Sequence, residues 1–219
     1  AYTIQNEPIS SLDLMERAAT QCTKQIIGSY FFESASIFCG IGNNGGDGLV
    51  IGRLLHERGI KVRLYIIELG PNKSDDFTAN FERLSPEIEC HYLKENDFNF
   101  SDTSDIYIDA IFGSGLNRKL DGWLARLVES INILNNPIIA VDVPSGLFVD
   151  DILNENDTAI KASLTISFQC PKLCFFFPEN AKFIGKWVIS NIGLHPDFTA
   201  MEEATYVNRK LVRLEPKNK

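Results

Sequence analysis

The chain has no run of 18 consecutive apolar residues, so no membrane-spanning helix is expected. Its opening residues are polar and lack an apolar core, which argues against a secretory signal. Positive charge is scarce: 21 Lys and Arg against 29 Asp and Glu leave a net charge of −8. A nucleic-acid binder is expected to show a basic field, so that partner class is disfavoured. Cysteines are few, odd in number and scattered: Cys22, Cys39, Cys90, Cys170 and Cys174. Without a C-x-x-C pair they point to buried thiols in a reducing, cytoplasmic setting rather than to a disulfide framework. Cys170 and Cys174 lack a partner pair, so zinc is not expected. There is no internal repeat and no low-complexity linker. What remains is a globular composition, 44% hydrophobic and 23% charged over 219 residues, sufficient for one α/β core.

Periodicity and punctuation predict the elements. A capped amphipathic helix is expected over residues 10–28, a strand over 35–39 and a helix over 49–58 stopped by Gly59. Strands follow at 62–67 and 87–93, with a helix capped by Ser74 over 74–84 between them. A strand at 106–110, a helix at 120–133 and a strand at 137–141 continue the alternation. Three further strands, at 164–168, 173–177 and 187–192, have little helix between them. This order implies an α/β fold with a mainly parallel sheet covered on both faces, and extra strands at one edge. Residues 1–207 form the expected domain, and the basic, polar residues 208–219 read as a tail or linker.

Three strands end in chemistry. The first runs into GNNGGDG (residues 42–48), the fourth into Asp109 and AIFGSG, the fifth into Asp142 and VPSG. In an open parallel sheet all three loops reach one edge, where ligands bind. Gly40, Gly42 and Gly45 satisfy G-x-G-x-x-G, and Glu68 stands near the acid position of a dinucleotide fold. A Walker A loop is excluded, because Gly46-Asp47 replaces Lys-Ser/Thr. Asp47 either caps the following helix or accepts hydrogen bonds from a ligand. A phosphate laid directly on it would be repelled. The loop from Gly113 through Ser114, Gly115, Leu116, Asn117 and Arg118 to Lys119 is the better phosphate candidate, with open backbone and two cations. Asn44, Asp109 and Ser145 offer oxygens that suit a weakly held monovalent cation, although spacing alone does not establish a metal.

Together, GNNGGDG from Gly42, DAIFGSGL from Asp109, VDVPSG from Val141 and QCPKLCFF from Gln169 resemble the YjeF N-terminal domain family. SSLDLMERAA near the start is similar to that family's first helix, so the resemblance spans residues 10–193. It implies a Rossmann-like three-layer αβα sandwich and NAD(P)H-hydrate epimerase activity, interconverting the R and S forms of NADHX and NADPHX. It implies substrate contacts at Asn43, Asn44, Gly45, Gly46 and Asp47, at the loop from Gly113 through Lys119, and at Asp142. A potassium ion is implied at Asn44, Asp109 and Ser145. Asp142 is the first candidate for proton transfer, with Asp47 and Lys172 as alternatives. A homodimer and fusion to an ADP- or ATP-dependent dehydratase are also implied. Other readings stay open: a non-catalytic scaffold module of the same fold, as in RNA-decapping proteins, or an ordinary NAD(P)-dependent oxidoreductase.

Overall fold

The computed structural model describes residues 2–95, 97–98, 100 and 102–197. The expected tail or linker at 208–219 lies outside the described residues. The elements run α1 (Tyr2–Asn6), α2 (Ser11–Ser29), β1 (Ser34–Cys39), α3 (Asn43–His56), β2 (Lys61–Ile67), α4 (Asp75–Glu82) and β3 (Glu89–Leu93). There follow β4 (Ile106–Ala110), α5 (Gly122–Asn132), β5 (Ile138–Val141), β6 (Leu164–Phe168), α6 (Ala181–Ile184) and β7 (Lys186–Ser190). The strands form one sheet in the order β3-β2-β1-β4-β5-β6-β7. Every pairing is parallel. The chain leaves β1 toward one edge and returns through β4 toward the other, so the switch point lies between β1 and β4.

Both faces are covered, and the strand period shows it. Along β1, Ile37 and Cys39 pack with α2, α3 and α4 residues such as Ile26, Leu55 and Phe77. Phe38 points the other way, into a cluster with Leu127, Val128 and Ile131 of α5. A third cluster, including Val143, Leu147, Cys174 and Phe183, sits beyond β5. Caps act where the sequence places them. The Ser10 hydroxyl accepts from the Asp13 N–H at 3.0 Å, and Ser74 accepts from the Phe77 N–H at 3.1 Å. Each satisfies a donor left without an intrahelical partner. Among the described residues no helix is long and apolar enough to cross a membrane.

Two expectations need correction. The helix expected from residue 49 begins at Asn43, so most of GNNGGDG is helix rather than loop. Gly42 occupies the N-cap position, and Asp47 lies inside α3, which removes its capping role. The strand expected at 173–177 is instead a 3-10 helix, Leu173–Phe176. Pro171 and Pro178 bracket the stretch, and β6 already pairs with β5 and β7, leaving no place for it beside β6.

Candidate active site

Close approach of backbone to backbone makes the crevice. A Cβ on Gly45 would overlap the Gly40 carbonyl, and one on Gly40 would overlap the Ile111 carbonyl. Glycine at both positions lets the start of α3 lie directly against the end of β1 and the loop after β4. Gly48 and Gly52 continue the same face: a Cβ at Gly48 would stand 2.7 Å from Ala110 Cβ and 2.8 Å from Cys39 Sγ. Gly42, by contrast, has nothing within 4 Å of an added Cβ, so it is open to a ligand. The first bond inside α3 runs from the Gly46 N–H to the Gly42 carbonyl at 3.0 Å. The N–H groups of Asn43, Asn44 and Gly45 therefore have no partner within the helix, as at any helix start.

Asp109 ends β4 with no solvent exposure. Its carboxyl accepts from the Ser145 hydroxyl at 2.6 Å, the Ser145 N–H at 2.8 Å and the Ile111 N–H at 3.2 Å. Burial nevertheless pushes its pKa up to about 6, against those hydrogen bonds. Ser145 also accepts from the Phe112 N–H at 2.9 Å, so it ties the β4 and β5 loops together. Gly146 follows at φ 105°, a conformation that favours glycine, with Thr158 and Ala159 packed against its open side. Asn44 follows the end of β1, in the first turn of α3: its amide lies against Gly113, and its Nδ2 is buried without a hydrogen-bond partner. The three residues expected to hold a cation thus come from adjoining parts of the fold, Ser145 bonded to Asp109 and Asn44 beside the loop after β4.

Asp142 follows β5 at φ 66°, one of two non-glycine residues described with positive φ. Asp tolerates this left-handed conformation better than most residues, and such backbone outliers cluster at functional sites. Its carboxylate accepts from the Ser114 N–H at 3.1 Å and forms an ion pair with Lys172 Nζ at 3.0 Å. Lys172, the third candidate for proton transfer, is drawn into the site rather than left in solvent. Its side chain is 15% exposed, and Nζ also donates to the Phe168 and Cys170 carbonyls at 3.0 and 3.3 Å. Asp47 is buried on α3, and its pKa is pushed well above its ordinary value by burial, then by the negative charges of Asp142 and Asp76. The site therefore holds a carboxyl whose proton is held more tightly than usual and, within its electrostatic reach, a lysine-paired one.

The loop expected to hold phosphate is present but differently used. Ser114 turns its N–H to Asp142, Leu116 packs on the α5-side cluster, and Asn117 and Arg118 are exposed. Lys119 is 2.9 Å from Asp157, so its charge is already partly offset. Of the expected contacts, Asn44 lies against Gly113 and Ser114 against Asp142, while Gly45 packs on Gly40, Gly46 faces Met15 and Phe77, Asp47 is buried on α3 and Asn43 is exposed.

The family profile described as YjeF-related protein N-terminus matches residues 11–174, most of the chain. The chain belongs to the YjeF-related protein N-terminus family. A relative from Oenococcus oeni, NAD(P)H-hydrate epimerase, is 33% identical over 198 residues, covering 89% of this chain and 91% of its own. One of the same name from Lentilactobacillus buchneri is 34% identical over 203 residues, covering 88% and 89%. A Coxiella burnetii protein named bifunctional NAD(P)H-hydrate repair enzyme is 30% identical, covering 87% of this chain and 38% of the longer protein. The crystal structure of yeast ynu0 has a TM-score of 0.64 at 22% identity, covering 76% and 74% of the two chains, which supports the fold.

Proposed function

We propose that this family member is an NAD(P)H-hydrate epimerase, interconverting the R and S forms of NADHX and NADPHX. The observation that carries the chemistry is the buried Asp142 carboxylate, held by Lys172 at 3.0 Å, with the buried Asp47, whose pKa burial raises, close enough to feel its charge. The hydrated ring carbon bears a hydroxyl beside the ring nitrogen. Asp47 donates its proton to that hydroxyl, the C–O bond breaks and water leaves, and the nitrogen lone pair forms an iminium. The Asp142 carboxylate stabilises the developing cation. Water then adds to the opposite face and gives its extra proton to Asp142, which returns it to Asp47 through water. Two carboxyls with different environments suit this division of acid and base roles. Lys172 acts as a positioning residue, holding the Asp142 carboxylate toward the crevice.

The same proposal includes a potassium ion held by Asn44, Asp109 and Ser145. These side chains suit it: all offer oxygen, and the buried Asp109 has no lysine or arginine among its hydrogen-bond partners. Bound there, the ion would supply positive charge to the floor of the crevice. A cytoplasmic homodimer, and a dehydratase that consumes the S form, complete the reading; β7 leaves one edge of the sheet for a second copy.

An epimerisation assay tests this, with the S form removed rapidly by a separate dehydratase. Turnover of the R form, dependent on potassium, is expected. Absence of R-form turnover in folded protein would leave the scaffold reading. Turnover equal in potassium-free buffer would remove the ion.

A further inference from the structure

Two residues other than glycine are described with positive φ, and they stand on neighbouring strands at the carboxyl end of the sheet. Asp142 at φ 66° follows β5, and Gln169 at φ 63° follows β6. Each is the centre of the same kind of turn. The Val143 N–H bonds the Val141 carbonyl at 2.9 Å across Asp142, and the Cys170 N–H bonds the Phe168 carbonyl at 2.7 Å across Gln169. A three-residue turn whose centre has positive φ is the rare, strained form of the γ-turn. Asp142 has its place in the chemistry above, and Gln169 has none. Gln lacks the short polar side chain that lets Asn and Asp visit this backbone region, so its surroundings must hold it there. They do so from β7 and the residues after it. The Gln169 N–H bonds the Ser190 carbonyl at 2.8 Å, and its side-chain Oε1 accepts from the Ile192 N–H at 3.2 Å.

The turn at Gln169 shapes the seat of Lys172. Pro171 disfavours a helical backbone at Cys170, and Lys172 lies extended at φ −86° and ψ 152° before the 3-10 helix. Its side chain folds back over the turn. Nζ donates to the Phe168 carbonyl at 3.0 Å and the Cys170 carbonyl at 3.3 Å, and it pairs with Asp142 Oδ1 at 3.0 Å. An ammonium has three N–H donors, so the turn supplies two of its three acceptors and directs the remaining donor to Asp142. The last N–H of β6, from Phe168, also reaches Asp142 Oδ1 at 3.4 Å. We propose that Gln169 is a positioning residue for epimerisation: tied to Ile192, it keeps the strained turn whose carbonyls fix Lys172 against Asp142. The proposal rests on the role given to Asp142 in the reading above. Gln169 acts through two other side chains and touches no reacting atom.

Gln169→Ala keeps a Cβ at positive φ and loses the tie to Ile192, so the turn should relax. In the epimerisation assay its kcat should fall roughly 10- to 100-fold, the scale of a misplaced catalytic group, with KM for NADHX within about 2-fold of wild type. Gln169→Gly takes the same backbone without strain and should recover most of the loss. Coupling separates positioning from a general structural defect. In a Lys172→Met background Gln169→Ala should cost nothing further, whereas independent defects would multiply. If Gln169→Ala does not fold, Gln169→Asn replaces it. Asn tolerates the backbone, its amide falls one methylene short of Ile192, and a smaller kcat loss with the same dependence on Lys172 is expected. Nitrogen-15 NMR of labelled lysines gives a readout that needs no turnover. The Lys172 ammonium, assigned through Lys172→Met, should exchange its protons slowly in wild type and quickly in Gln169→Ala. A wild-type kcat in the folded variant, a loss of equal size with and without Lys172, or an unchanged ammonium signal would overturn the proposal. An ammonium signal that depends on Gln169 in a protein without epimerase activity would instead sink the epimerase reading and leave the link from Gln169 to Lys172 standing.

Discussion

Buried acids at the two ends of the same sheet behave in opposite ways. Near the amino ends, the Asp102 side chain is closed to solvent but surrounded by donors. It accepts from the Ser36 hydroxyl at 2.6 Å, the Ser104 N–H at 2.8 Å, the Tyr65 hydroxyl at 2.8 Å and Arg63 at 2.9 Å. Burial pushes its pKa up, but those bonds outweigh it and hold it at about 2. At the carboxyl ends, Asp47 and Asp109 are as deeply buried, and both have raised pKa values. Asp109 has donors but no cationic partner among them, and Asp47 faces other acids. Asp102 is built to stay charged and pin the segment before β4 across β1 and β2. The acids of the crevice are left under-compensated, which suits proton transfer and cation binding.

The sharpest way to break this comparison is to neutralise one acid at each end. Asp142→Asn should cut epimerisation by at least about 100-fold, the lower range for losing acid–base assistance. Asn accepts the left-handed backbone at φ 66°, and Lys172 keeps its two carbonyl partners, so thermal unfolding should change little. Wild-type rates in that variant would remove Asp142 from the mechanism. Asp102→Ala should do the reverse. It strands Arg63, Tyr65 and Ser36, and urea unfolding should show a loss of about 3 kcal/mol. The kcat of the protein that remains folded should stay near wild type.

The pH dependence sharpens the contrast further. A carboxyl whose folded pKa lies below its unfolded value stabilises fully above the unfolded pKa. Asp102 should therefore lose its contribution as pH falls from the ordinary 3.8 toward about 2. Compared with wild type, Asp102→Asn should unfold with a flatter stability profile across that acid window. Asp47 carries the opposite sign. Its proton-bound form is the stable one, so its contribution is full at low pH and is lost as pH rises through its elevated folded pKa. Asp47→Asn should therefore lose less stability than wild type as pH rises from the ordinary 3.8. Urea unfolding measured from pH 4 upward checks this. A variant that tracked wild type throughout that rise would show that folding does not raise the Asp47 pKa.

Much of the architecture was legible because burial has a period. Strands at 106–110 and 164–168 coincide with β4 and β6, and the caps at Ser10 and Ser74 are where their side chains predict. The start of α3 was not legible. Glycine and asparagine are poor helix formers, so GNNGGDG reads as a loop until the close approach of Gly45 to Gly40 is seen. The apolar run at residues 173–177 was ambiguous for a related reason, since a short buried stretch carries no period to distinguish strand from helix.

The candidate site divides in the same way. That Asp109 and Asp142 end neighbouring strands, and that their loops share an edge with GNNGGDG, follows from sequence order and the handedness of parallel connections. Lys172 could not be assigned from its neighbours in the chain, because its partner Asp142 lies across β6 and the turn that follows. The succession of strands and helices, the covered faces and the placement of carboxylates at strand ends were written in the chain itself, through hydrophobic period and turn residues. Which acid has its pKa raised, which is ion-paired and which has its pKa lowered belongs to the tertiary structure, because a pKa depends on desolvation and on donors brought together from distant segments.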